Sequence, residues 1–555
     1  MSAAEPIAPA IDHVAVLPHT TAPDVAGASN PSDATKEDKE VKEDKEVKED
    51  KEVKDVKGAK DVKPTISIAH SRARLVAIAS VATFTMIMSS MGNIILTIAL
   101  PTIQVDLNMR DTDLQWISSA YSLTFGCFLL ISGRLADIHG RKLVFLCGVA
   151  WYAVWMLVGP FFTSGAGLVV SRALAGCGAS MATPSGIGII AANFEGRSRA
   201  TAFAAFSAGA PIGGGLGFVL GGLLTEYSSW KAALWTTAGL AAGIVVTAYF
   251  VFPPDAMTTS DRRIDYIGAT LVTVGLILLQ FTVSSGETAS NGWATAYIIA
   301  LLIIGVLLIA AFFVWEKYVA VKTSRPPLMR LELWTRANGR LAAVYMIGFV
   351  SWMGFVSLSY HATLFFQQIQ MLNPVQAMLR FLPMTVSGII CNVIVAYCIG
   401  FVPTQILICI GILATGIASV LFAVSPADVS YWRLPFHGMW LCVLGADFLM
   451  ATAMLFVSRL ALPEEQSVAG ALFQTLVQLG GSFGLAFTTV ISTAYQGKAV
   501  NAEKDALTAQ LTGLHAAFWL GAGCSFAALF VALSALWGMG TIGKPLKVAG
   551  QQGRV

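Results

Sequence analysis

Asp137, Arg141 and Lys142 fall within one short stretch, Gly133-Arg134-Leu135-Ala136-Asp137-Ile138-His139-Gly140-Arg141-Lys142, set between long apolar runs. An acid four residues before a guanidinium, with glycines at these spacings, suits a charged clasp at a helix junction. Gly133 is expected to let the chain leave one helix, and Gly140 to let it enter the next. Asp137 can accept hydrogen bonds from a neighbouring helix N-terminus or pair with Arg141. Breaking such a clasp would let two helix bundles rock apart. An ordinary basic turn would explain Arg141 and Lys142 but not the acid and the two glycines.

Three further charges, Arg172, Arg380 and Asp447, lie inside apolar runs. Each costs a few kcal/mol at mid-bilayer unless it faces protein or water, so function is the default expectation. Asp447, in Val443-Leu444-Gly445-Ala446-Asp447-Phe448-Leu449, reads as the only acid deep in any run. Those surroundings disfavour a carboxylate, which suits a group that takes up a proton or meets a cation. A structural ion pair with Arg172 or Arg380 is the alternative. Arg380, six residues after Pro374, can instead snorkel outward. His361, beside Tyr360, is either a titrating group or a packed core histidine. His515 opens the last run and reads as interfacial. Asn93, Ser119, Tyr121, Trp352, Gln367, Asn392, Gln474 and Gln478 are uncharged groups in or beside runs. They can line a central cavity or make helix-packing hydrogen bonds worth about 1 kcal/mol; the sequence leaves both uses open.

No HExxH, CxxC, nucleophile elbow or GxxxxGK[ST] loop is present, so neither an enzyme nor an ATP-driven pump is expected. The glycines Gly213, Gly217, Gly221 and Gly222 sit inside an apolar run, without the strand a dinucleotide fingerprint needs. They read as small-xxx-small helix packing, repeated at Gly480 and Gly484. All eight cysteines fall inside apolar runs as small core residues. No cofactor, metal or nucleic-acid site is expected.

These groups need a membrane to position them. The chain has 555 residues, 55% hydrophobic and 12% charged, against about a quarter charged in soluble proteins. Residues 1–63 hold ten Lys against fifteen Asp and Glu, and KEDKEV repeats three times from Lys36. That tail cannot bury enough apolar surface to fold. The first apolar run, after Arg74, is expected to act as a signal anchor. Fourteen runs reach spanning length: 75–99, 115–133, 143–162, 165–192, 200–223, 231–252, 266–284, 294–315, 341–366, 376–400, 403–424, 435–458, 467–494 and 514–538. One set of alternating loops holds nineteen Lys and Arg and the other five, which points to both termini in the cytosol. The basic loops around Arg262 and around Lys317–Arg340 enclose two of the runs, so a hairpin there crosses and returns.

The motif from Gly133 to Lys142 resembles the loop signature of the major facilitator superfamily. Arg172-Ala173-Leu174-Ala175-Gly176-Cys177-Gly178-Ala179 with Pro184 is similar to the family's fourth-span motif, and Gly213 to Gly222 to its fifth-span antiporter motif. Fourteen spans, Gln115-Trp116, Tyr121 and Gln474 to Gly481 are similar to the fungal-type drug:proton antiporter branch, which carries out multidrug efflux. Two residues depart from that pattern. Phe218 stands where a proline follows the middle glycine. Gly92, ahead of Ala99-Leu100-Pro101, stands where the first span carries an acid. The resemblance then leans toward the branch linked to aminotriazole resistance, boron efflux and low-affinity ammonium movement in yeasts.

The resemblance implies an all-α membrane protein of two six-helix bundles plus two extra spans. The expected division is a disordered cytosolic tail (1–72), an N-terminal bundle (73–253), the extra spans and linker (254–337), a C-terminal bundle (338–540) and a cytosolic tail (541–555). The resemblance gives Arg172 a role in proton coupling or substrate-anion contact. The expected function is alternating-access secondary transport of a small molecule or ion, coupled to protons, by a monomer in a plasma or vacuolar membrane. The alternatives are low-affinity ammonium or borate passage, or a non-transporting sensor of the same fold.

Overall fold

The computed structural model of the chain describes residues 72–537, apart from 195, 255–262, 264, 287–288, 290, 324–326, 330, 399–401, 461–465 and 504. The repeat-bearing tail through residue 71, the tail 541–555 and the loop acids Glu195, Glu464 and Glu465 lie outside the described residues.

Fourteen helices among the described residues are long and apolar enough to cross a bilayer. They are α1 Arg72–Ile94, α2 Asp111–His139, α3 Arg141–Val158, α4 Gly165–Asn193, α5 Gly196–Tyr227, α6 Trp230–Val251 and α7 Tyr266–Ser285. The second seven are α8 Ala296–Lys322, α9 Arg340–Leu364, α10 Pro374–Cys398, α11 Thr404–Ala423, α12 Pro435–Leu460, α13 Gln466–Asn501 and α14 Ala506–Ala535. Side-chain caps start several of them: Ser164 on Gly167 N–H, Ser229 on Ala232 N–H, Asp265 on Gly268 N–H and Asp505 on Thr508 N–H. The first run does not stay helical to residue 99. α1 ends at Ile94, and after a turn a short helix, Leu100–Asp106, restarts with Pro101 in its first turn, where a missing N–H costs nothing.

The packing repeats with a shift of eight helices. α1 lies on α5 as α9 lies on α13, and α2 on α4 as α10 on α12. α3 touches α4 and α6 as α11 touches α12 and α14. The two six-helix bundles, α1–α6 and α9–α14, meet along α2–α13 and along α5–α10, seams that the same shift exchanges. The inserted α7–α8 hairpin packs through α7 on α2 and α13. Gln280 of α7, fully buried, donates to the Ser482 carbonyl at 3.0 Å, and Ser482 Oγ donates to the Ser119 carbonyl at 3.0 Å. α8 turns Ile303, Val306, Leu307 and Val314 outward, all about half exposed or more, as a lipid-facing helix should.

Glycines set how closely the helices approach. A Cβ added at Gly213 or Gly221 would overlap the carbonyl oxygens of Ile87 or Ile95, and one at Gly217 would lie 3.0 Å from Met91 O. Gly480 and Gly484 repeat this closeness against Phe349 and Met353 of α9. Gly222 faces away from α1: a Cβ there would stand 2.5 Å from Met378 Cβ, on α10 of the other bundle. Phe218, in the proline's place, stacks on Phe381 of α10 with ring centroids 4.4 Å apart.

Candidate functional site

The charged stretch forms the junction of α2 and α3. Gly140 has φ 98° and separates the two helices, a backbone that favours glycine. Gly133 does not end a helix. α2 runs on to His139, and Gly133 lies inside it facing Pro184 of α4. A single interior glycine is tolerated when the rest of the helix is packed. Arg141 Nη2 meets Asp137 Oδ1 at 3.4 Å, and Arg141 Nη1 donates to the Gly188 carbonyl of α4 at 2.8 Å. Lys142 Nζ donates to the carbonyls of Tyr249 and Phe252 at 2.8 and 2.6 Å, where α6 ends. These contacts tie together helices of the first bundle. Arg134 reaches out of it, donating to the Arg263 carbonyl ahead of α7 at 3.4 Å.

Arg172 of α4 is 1% exposed. Its guanidinium donates to three backbone carbonyls: Gly92 at 2.7 Å, Ile117 at 3.0 Å and Asn93 at 3.3 Å. It also lies over the Tyr121 ring, 4.7 Å from the centroid. Tyr121 in turn donates to the Ser89 carbonyl at 3.1 Å, and Asn93 Oδ1 accepts from Ser122 Oγ at 3.2 Å. A buried charge needs partners; here they are peptide dipoles at the end of α1 and on α2 rather than an acid. Arg172, Tyr121 and Asn93 are thus brought together.

Asp447 stands apart from that cluster. Its Oδ2 is buried without a hydrogen-bond partner among the described residues. A Cβ on Gly388 of α10 would lie 3.1 Å from that oxygen and 3.4 Å from Pro211 Cβ of α5, so the carboxyl sits where α5, α10 and α12 meet. Asn392 of α10 is alongside it. No ion pair joins Asp447 to Arg172 or Arg380 among the described residues, which removes the structural-pair alternative. Arg380 donates to Gln370 Oε1 and stacks over the rings of Phe366 and Tyr431. Tyr431 donates to the Arg380 carbonyl at 2.8 Å, and burial pushes its phenol up to about 12, so it stays a neutral donor. This set marks the end of the bundle opposite the α2–α3 junction. A groove of about 1010 Å³ runs from it between α10 and α12, past Val386 and Cys391 to Phe448.

The remaining candidates are spread out. Gln367 donates to the Ile98 carbonyl at 2.7 Å, joining the two bundles at that far end. Gln368, next in sequence, donates to Gln104 Oε1 at 3.3 Å and accepts from Gln510. His361 is a packed core histidine, with Nδ1 2.9 Å from the Ser357 carbonyl and its ring edge-on to Tyr360 and Phe518. Trp352 packs against Phe355 and beside Gly481. Gln478 faces Gly126 across the α2–α13 seam, and Gln474 is half-buried one turn earlier. Asp447 is not the only acid with a buried carboxyl among the described residues. Glu316 of α8 is 0% exposed and Asp265, which caps α7, is 7% exposed. Glu316 lies one residue beyond the apolar run 294–315, so hydropathy does not mark it as buried.

Fourteen membrane-length helices, twelve of them in two like bundles that meet along two seams with a charged junction at one end, define an integral, multi-pass membrane fold. The Major Facilitator Superfamily model matches residues 82–265. The cephamycin export protein of Amycolatopsis lactamdurans is 30% identical over 72% of this chain and 81% of its own length. "MFS-type transporter 1" of Pyricularia oryzae is 29% identical over 78% and 79%, and the low affinity ammonium transporter of Saccharomyces cerevisiae 29% over 76% and 81%. Among solved structures the fold is similar to the POT family transporter PepTSo (TM-score 0.62, 14% identity, 84% of this chain and 98% of that one). The chain belongs to the major facilitator superfamily, a family of transporters.

Proposed function

We propose that this protein exports a small solute by alternating access and that Asp447 carries the coupling proton. Its position supports the reading: an unsatisfied carboxyl oxygen at the meeting point of α5, α10 and α12, on the seam that must part when the bundles rock. An acid poised between two environments can be loaded on one side and unloaded on the other. Export as the direction draws on the relatives, which include a cephamycin export protein and a puromycin resistance protein. In this reading the α2–α3 junction lies in the cytosol with both termini, in a plasma or vacuolar membrane. The Gln367–Ile98 and Gln368–Gln104 bonds then close the outer end. The Asp137–Arg141 pair fixes the inner junction against α4 rather than spanning the bundles.

Reconstituted vesicles with an imposed proton gradient test it. Wild type is expected to couple solute movement to proton flux, and Asp447→Asn to lose that coupling while keeping its elution profile. Unchanged transport and pH dependence in Asp447→Asn would refute the assignment.

Gly92 favours a second reading, low-affinity passage of ammonium or borate. With no acid there, and Arg172 bonded to carbonyls, the cluster of Arg172, Tyr121 and Asn93 offers a cationic drug no counter-charge among the described residues. Growth of overexpressing cells on borate, aminotriazole, methylammonium and a drug panel separates the two.

A further inference from the structure

Asp265 and Glu316 make up a second buried acid site, in the inserted hairpin rather than on the seams. Their carboxyls converge over Gly268: a Cβ added there would meet Asp265 Oδ2 at 2.5 Å and Glu316 Oε1 at 2.7 Å. Both oxygens therefore crowd the one point that the missing Gly268 side chain leaves open. Donors already hold the rest of the pair. Asp265 Oδ1 accepts from Gly268 N–H at 2.9 Å, and the Trp315 indole donates to both Asp265 oxygens at 2.9 and 3.0 Å. Glu316 Oε2 accepts from Met329 N–H at 3.2 Å. Glu316 Oε1, fully buried and aimed at Asp265, has no donor.

No cation among the described residues pairs with either acid. Arg263, Lys317 and Lys322 are exposed, as are the phenols of Tyr266 on α7 and Tyr318 on α8. On the neighbouring segments Arg134 is held at the Arg263 carbonyl, Arg336 lies 3.9 Å from Glu332, and Arg340 donates to the Trp537 carbonyl. Two carboxylates this close, with no cation paired to either among the described residues, repel. One proton taken from bulk water replaces that repulsion with an O–H···O⁻ bond, among the strongest available to side chains.

We infer that Asp265 and Glu316 share one proton, and that this proton fastens the base of the α7–α8 hairpin to the Leu328–Met329 segment leading into the second bundle. Removing it would set two charges against each other beside Met329 N–H and loosen that attachment, next to the Arg134 contact at the α2–α3 junction.

Infrared difference spectroscopy on the full-length protein in lipid, stepped through pH, tests this. Wild type should show a protonated-carboxyl C=O stretch that bleaches as pH rises, together with a change in tryptophan emission that Trp315→Phe removes. Glu316→Gln should abolish that stretch. Asp265→Asn, which keeps the α7 cap and faces Glu316 with a neutral amide, should shift its midpoint by about one pH unit or more. The stretch should remain in Asp447→Asn, which separates this site from the proposed coupling acid. If Glu316→Gln does not fold, the Asp265→Asn midpoint decides alone. In the Asp447→Asn background, where the proposed coupling acid contributes no carboxyl stretch, a stretch that survives Glu316→Gln, a midpoint that Asp265→Asn leaves in place, or a titration set by sodium concentration at fixed pH would overturn the inference.

Discussion

The hydroxyl of Tyr152 fills the space that a side chain at residue 92 would occupy. A Cβ built on Gly92 would overlap Tyr152 Oη, lying 3.0 Å from its Cζ and 3.3 Å from Met156 Cε. Tyr152 is fully buried, and the Gly92 carbonyl in the same cluster takes the Arg172 Nη1 bond at 2.7 Å. A phenol from α3 therefore stands where the resemblance drawn from the sequence would put an acid. Restoring the acid alone, as Gly92→Asp, should overpack the site by about 1–3 kcal/mol or more. It should lower both the melting temperature in detergent and the yield of monodisperse protein. Gly92→Asp with Tyr152→Ala should recover part of that loss, because the ring is gone and the new carboxylate can meet Arg172. A single variant that melts like wild type would show that the space is not filled as described.

Arg172 should resist its conservative replacement. Three carbonyls, of Gly92, Ile117 and Asn93, are satisfied by one planar fork, and an ammonium cannot reach all three directions from one atom. Hydrogen bonds to a charged group contribute about 1.5–3 kcal/mol each when lost. Arg172→Lys is expected to lower the melting temperature and to lose transport with it. If Arg172→Lys instead kept wild-type stability and lost only transport, the side chain would belong to the coupling machinery rather than to the packing of α1 on α4.

Glycine substitutions should divide by what lies opposite. Gly213→Ala pushes a methyl into the Ile87 carbonyl of α1 and Gly221→Ala into the Ile95 carbonyl just past its end, and Gly480→Ala does the same on α9. All three should destabilise by about 1–3 kcal/mol. Gly239 and Gly243 on α6 have nothing within 4 Å of an added Cβ. Their alanine variants should be neutral or more stable by about 0.5–1 kcal/mol, from helix propensity. Thermal melts of the five variants side by side check the split; an equal loss at all five would mean the α1–α5 approach is looser than described.

Much of this architecture can be read from the residues themselves. All fourteen spans follow from apolar length, because a bilayer imposes that length whatever the fold. The glycine stripe reads as helix packing, because only a missing side chain permits such approach. Gly133 misleads because a glycine carries no mark of whether it ends a helix or lies within one. Glu316 escapes because hydropathy ends a run at the first charge, whereas burial depends on what packs over that charge, here Met329 and Gly268. The partners of Arg172 are hidden for a deeper reason: backbone carbonyls are common to every residue, so no sequence pattern can announce them.

Gln104 and Gln368 offer the most direct trap for the motion this fold implies. Gln104 belongs to the short helix after α1, and Gln368 to the π-turn that continues α9. Their amides meet at 3.3 Å, and that link with Gln367 on the Ile98 carbonyl ties the two bundles at the end away from the α2–α3 junction. Two neutral hydrogen bonds are worth about 0.5–1.5 kcal/mol each, enough to bias a closed state but weak enough for thermal opening. Cysteines at 104 and 368, in a background with the exposed Cys147 replaced by serine, should couple rapidly through a short bis-maleimide. Turnover should then stop, while a cysteine at either position alone, treated the same way, should keep its activity. Gln367→Ala should slow the coupling, because it shifts the population toward the state in which the two positions are apart. Full activity in the cross-linked protein would mean that this end never opens during the cycle, and alternation of the two bundles would have to be abandoned.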